Sequence, residues 1–118
     1  MSQANELTAR IISHICSNGG YAFRASSQGL WDRNLNAFRM AAKKGISDVL
    51  GLVGPSGRLL AVEVKIGKDV LSPEQDGFGQ NIVHCGGLFF VAKDFDSFRL
   101  WFDDVLFQQS KPYPPSSS

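Results

Sequence analysis

Cysteine is scarce in this sequence. Cys16 and Cys85 are the only two, and they form neither a CxxC pair nor a dense framework. That excludes a disulfide-stapled scaffold and a cysteine-rich zinc site. Both are expected to be buried thiols in a reducing compartment. Histidine is equally sparse: His14 and His84 lie at no zinc-binding spacing and are expected to be structural or solvent-facing. No apolar run approaches the roughly 18–20 residues that a membrane span needs. The first six residues lack the charged-then-apolar pattern of a signal peptide. These absences predict a cytoplasmic protein with no membrane partner. There is no internal repeat and no internal linker. Residues 111–118 are Pro/Ser-rich and are expected to be a disordered tail. Residues 1–110 are expected to form one domain, since 118 residues with 43% apolar content suit a single core.

The net charge of +1 conceals an asymmetry. Residues 1–44 carry Arg10, Arg24, Arg33, Arg39, Lys43 and Lys44 against Glu6 and Asp32, a balance of +4, and the remainder balances at −3. A basic half is compatible with phosphate binding, although a solvated helix face explains the charge equally well.

Periodicity gives the elements. Leu7, Ile11 and Ile15 keep a spacing of four, which predicts a helix over residues 3–17, stopped by Asn18-Gly19-Gly20. Residues 21–25 alternate and read as a strand, residues 26–34 as a loop, and residues 35–44 as a short helix. Residues 48–53 and 58–66 read as two strands of a hairpin about the turn Gly54-Pro55-Ser56-Gly57. Ser72-Pro73-Glu74-Gln75 has the pattern of a capping box and opens a helix to about residue 84. A strand over residues 88–92 and a helix over residues 97–108 follow. Helices between strands predict an α/β sheet flanked by helices.

The chemistry concentrates on one strand. Glu63 and Lys65 stand two apart in an apolar run, so both project from one face while Leu60, Val62 and Val64 project from the other. Charges on a core-like strand are costly without a partner or a metal. Asp48, at the start of the neighbouring hairpin strand, supplies a second carboxylate. Hard carboxylate oxygens, joined by the backbone carbonyl of Val64, suit Mg²⁺ or Mn²⁺. Such an ion polarises a phosphoryl oxygen and acidifies water, and Lys65 would offset developing charge. The fitting reaction is hydrolysis of a phosphodiester. A surface salt bridge would account for Glu63 and Lys65 but not for Asp48 or the flanking apolar residues.

Asp48 followed by Glu63-Val64-Lys65 resembles the PD-(D/E)xK nuclease signature, with Ser47 where a proline is usual. Four ordered segments sharpen the resemblance to the virus-type replication-repair nuclease (VRR-Nuc) family. They are Lys44-Gly45-Ile46-Ser47-Asp48-Val49-Leu50-Gly51, Gly57-Arg58 leading to Glu63-Val64-Lys65, Leu71-Ser72-Pro73-Glu74-Gln75, and Gly86-Gly87-Leu88-Phe89-Phe90-Val91-Ala92. The resemblance implies a restriction-endonuclease-like mixed β-sheet flanked by helices. It also implies that Glu6 assists the metal site from the first helix and that Gln75 supports it from the helix after the motif strand. A plain first-turn acid competes for Glu6. For Gln75 the cap and the site are compatible, since the cap fixes its location, although its side chain is expected to serve only one at a time. Small stand-alone members from phages and bacteria are similar to Holliday-junction resolvases that act as homodimers. The resemblance therefore implies DNA, most specifically a four-way junction, as the partner. Flap, nick or end processing and a non-catalytic DNA-binding subunit are the alternatives. Arg33, Arg39, Lys43, Lys44 and Lys68 are the candidates for the DNA backbone. Phe89, Phe90, Phe98, Trp101, Phe102 and Phe107 read as core or as a dimer interface, core being the simpler reading.

Overall fold

Ser2 caps the first helix by accepting the backbone N–H of Asn5 at 3.1 Å, which meets one of the four orphan donors of a helix start. That helix, α1 (Gln3–Ser17), buries Leu7, Thr8, Ile11 and Ile15 along one stripe. The computed structural model describes residues 2–25, 30–32, 37–39 and 45–110, without the side chains of 30–32, 37–39 and 110. After α1 come β1 (Tyr21–Arg24), β2 (Leu30–Asp32), β3 (Ala37–Arg39), β4 (Val49–Val53), β5 (Arg58–Val64), α2 (Pro73–His84), β6 (Leu88–Ala92) and α3 (Phe95–Ser110).

Four strands form the main sheet in the order β1-β4-β5-β6. β1 pairs with β4 and β4 with β5, both antiparallel, whereas β6 runs parallel to β5. A parallel neighbour cannot be reached by a tight turn, so the chain crosses over through α2. The two faces of the sheet differ. Ala22, Val49, Val53, Leu60, Val62, Val64 and Ala92 share one core with Leu7, Ile11 and Ile15 of α1 and with Phe98 and Phe102 of α3. The opposite face carries Glu63 and receives α2. There Gly79 lies so close to the Phe89 ring that a Cβ would stand 2.5 Å from it. The architecture is mixed α/β, a mixed sheet flanked by helices in the restriction-endonuclease-like manner.

The expected elements from residue 45 onward are present with small shifts of boundary. The segment between β1 and β4 differs. Residues 30–32 lie in the expected loop and residues 37–39 in the expected helix, yet they pair as an antiparallel ladder with Trp31 opposite Phe38. A ten-residue helix is shorter than the roughly 12–15 residues that hold a helix unaided, so a strand partner decides the outcome. Residues 111–118, the expected tail, lie outside the described residues.

Both cysteines are free and exposed rather than buried. Cys16 follows Ile15 off the buried stripe of α1, and Cys85 sits at the C-cap of α2, a surface helix end. The aromatic residues divide. Phe98 and Phe102 are core, Phe90 stacks on Trp101 at 4.6 Å, and Phe107 is exposed. His14 has a structural place: its ring is edge-on to Phe95 and Phe102, and Nε2 meets Asp103 Oδ1 at 2.9 Å, tying α1 to α3. Among the described residues, no helix is long and apolar enough to cross a membrane.

Phe98 is 0% exposed at the centre of the core and Phe107 is 59% exposed on the same helix. Phe98→Ala should therefore cost about 3–5 kcal/mol by urea unfolding, while Phe107→Ala should cost less than about 1 kcal/mol. Equal losses would contradict this division of α3.

Candidate functional site

Three elements converge at one end of the β4–β5 hairpin. The register pairs Val49 with Val62, so one step outward Asp48 comes opposite Glu63. Asp48 Oδ2 accepts the backbone N–H of Val64 at 2.7 Å, which fixes the carboxylate against the motif strand. In an extended strand the N–H and C=O of one residue leave by the same edge. The Val64 carbonyl is thus directed toward the Asp48 side. The next residue turns the other way, and Lys65 N–H donates to Ala92 O at 3.0 Å.

α2 brings the third element. Ser72 Oγ accepts the Gln75 N–H at 3.1 Å, and Gln75 Oε1 accepts the Ser72 N–H at 2.9 Å, a complete capping box. The other end of the same amide reaches the site: Gln75 Nε2 donates to Glu63 Oε1 at 3.1 Å. The expectation that Gln75 serves either cap or site is corrected here, because a carboxamide accepts at one end and donates at the other. Gly45 makes the approach possible. Its φ is +82°, and a Cβ would lie 2.6 Å from the Glu74 carbonyl carbon and oxygen, so the loop leading to Asp48 presses directly on the first turn of α2.

Glu63 is the most constrained member. It is 1% exposed, and its Oε2 is buried with no hydrogen-bond partner. Burial pushes its carboxyl up to about 8. That value is the net of several causes: burial is the largest, Asp48 adds to it by hydrogen bonding and by its charge, and the Lys65 charge and the Ser47 hydroxyl oppose the rise. Ser47 Oγ itself has no partner at hydrogen-bonding distance, so its pull is a near contact rather than a formed bond. Without further positive charge the buried acid therefore keeps its proton at neutral pH.

The arrangement fits a hard divalent cation. Its donors are carboxylate and carbonyl oxygens, one buried carboxylate oxygen lacks a partner, and the local field resists two negative charges. The structure gathers two carboxylates, and among the described residues no group of three or more His, Cys, Asp or Glu side chains could hold a metal ion. Glu6 is exposed on the first turn of α1 and belongs to no such group. Its helix start is nevertheless tied to the sheet, since Arg24 Nη1 donates to Asn5 Oδ1 at 3.2 Å.

Lys68 is exposed on the turn after β5. Arg33, Lys43 and Lys44 lie outside the described residues, as does the side chain of Arg39. Two contributors escaped the sequence reading. Ser47 registered only as a replacement for proline. Lys93 braces the turn carrying Lys68 by donating to Gly67 O at 3.4 Å and Asp69 O at 3.1 Å. Its one signal is its position just past an apolar strand.

A mixed sheet flanked by helices, with paired carboxylates and a lysine at the end of one hairpin, defines a nuclease-like α/β protein. The VRR-NUC domain matches residues 14–95, and the chain belongs to that family. Asp48, Glu63, Lys65 and Gln75 fall inside the match and Glu6 falls outside it. No curated protein and no solved structure matches. Family membership makes the chain a nuclease in the general sense and DNA its binding partner.

The Glu63 carboxyl has a testable consequence in metal-free protein. Its folded value of about 8 exceeds its ordinary 4.5, so the folded state holds a proton that the unfolded chain releases. The stability this proton supports is complete below about pH 4.5 and is lost as pH rises through about 8. Glu63→Gln, neutral and of the same shape, should escape that loss. In EDTA its melting temperature should exceed that of the parent most clearly above about pH 8. Parallel melting curves for the two proteins across this range would refute the assignment.

Proposed function

We propose that this chain is a metal-dependent, structure-selective DNA endonuclease in the cytoplasm, with residues 1–110 as one nuclease domain. The observation that carries this reading is the buried Glu63 carboxyl beside Asp48, with the Lys65 charge acting on it. Asp48, Glu63 and the Val64 carbonyl would hold Mg²⁺ or Mn²⁺. When bound, that ion supplies a Lewis acid at the scissile phosphate and acidifies water for attack.

The chain's own residues do the rest. Asp48 and Glu63 hold the negative charge that selects a cation. Gln75 keeps the Glu63 oxygens aimed by donating to one of them. Lys65 offsets the charge that develops on the phosphoryl oxygens and helps orient the attacking water. Lys68, Arg33, Arg39, Lys43 and Lys44 are assigned to phosphate contacts, which give affinity without base sequence.

The preferred substrate in this reading is a four-way DNA junction, cut by a homodimer. Resolving a junction requires cuts on two strands related by symmetry, and a two-fold pair of identical sites supplies that symmetry. A purely binding role leaves the Asp48, Glu63 and Lys65 set without a use.

A cleavage panel tests this directly, with Mg²⁺ or Mn²⁺ and a four-way junction, flap, nicked duplex, duplex and single strand. Paired symmetric nicks on the junction are expected from a protein that sediments as a dimer. Lys65→Ala should lose roughly 100-fold or more in rate while its affinity for the junction survives. Asp48→Ala should weaken Mg²⁺ binding measured by calorimetry. Cleavage of flaps or ends instead would retain the nuclease and remove the junction. No cleavage with either metal would favour a non-catalytic DNA-binding subunit.

A further inference from the structure

Ser47 is 0% exposed, and its Oγ has no hydrogen-bond partner. Glu63 Oε2 is buried and lacks a partner as well. Buried polar atoms are nearly always bonded, because each unmet one carries its full desolvation cost. These two belong to one place. Ser47 precedes Asp48, which stands opposite Glu63 in the β4–β5 register, and the hydroxyl acts on the Glu63 carboxyl in favour of its charged form. They are also complementary: a serine hydroxyl carries a rotatable donor, and a carboxylate oxygen only accepts. Gln75 already occupies the other oxygen, Oε1.

We propose that the Ser47 hydroxyl is the second anchor of the Glu63 carboxylate, donating to Oε2 while Gln75 donates to Oε1, so that both oxygens are fixed for a divalent cation shared with Asp48. The proposal rests on the metal-dependent reading above. In the metal-free protein Ser47 Oγ and Glu63 Oε2 are both buried without a hydrogen-bond partner. With a cation on the carboxylate, Oε2 still accepts a hydrogen bond, and a small shift of the Ser47 side chain would bring its hydroxyl within reach. Groups that orient a ligating carboxylate typically contribute 10–100-fold to metal affinity.

The test titrates Mg²⁺ and Mn²⁺ into the DNA-free full chain and into Ser47→Ala by calorimetry, with melting of both proteins in EDTA. The expected result is metal binding about 10-fold weaker in Ser47→Ala, with a metal-free melting temperature equal to or above that of the parent. Alanine removes a buried hydroxyl that has no partner in that state, whereas a merely structural serine would lower the melting temperature instead. Equal metal affinity in the two proteins overturns the Ser47 assignment, whatever the melting temperatures do, and leaves the nuclease reading standing. A parent chain that binds neither ion overturns the metal-dependent reading itself, and the anchor with it.

Discussion

Burying the Glu63 carboxyl constrains everything around it. An isolated charge at 1% exposure would cost far more than the fold can spare, so the acid must be protonated or compensated. Asp48 opposite makes compensation harder, because it adds negative charge where the low dielectric amplifies it. Gln75 and Lys65 relieve part of this, one as a donor and one as a charge. In the metal-free protein a proton on Glu63 meets the remaining demand, and a cation would meet it as well.

The scaffold meets the demand economically. One face of the sheet is sealed by α1 and α3 around Phe98, Phe102 and the valines of β4 and β5. That leaves the other face to α2 and the site. α2 is needed in any case as the crossover between parallel β5 and β6. Its capping box fixes the first turn, and the same glutamine that closes the box reaches Glu63. Gly45 lets the Asp48 loop and that first turn touch. Secondary-structure formation and site assembly therefore use the same atoms.

Much of this was legible from local pattern. The stripe of α1, the β4–β5 turn, the Ser72 cap and the strand at Leu88–Ala92 follow from spacing and turn chemistry, which act over a few residues. The β2–β3 ladder was not legible, since Trp31 and Phe38 meet through a pairing that no short-range periodicity encodes. The exposure of Cys16 and Cys85 was misread for a similar reason. Cysteine's average burial says nothing about a residue one position off a helix stripe.

For the site, the sequence by itself determined which groups are available: Asp48, Glu63, Lys65 and Gln75, with alternation along β5 deciding that Glu63 and Lys65 share a face. Side-chain direction in a strand is a property of the backbone, so it can be read from the order of residues. Only the tertiary structure decided how deeply Glu63 is buried, that both ends of the Gln75 amide are used, that Glu6 stays outside the carboxylate pair, and that Ser47 stands unpartnered beside it. Those outcomes depend on desolvation and on contacts between β5, α2 and the Asp48 loop. Such quantities exist only once segments distant in sequence are packed together.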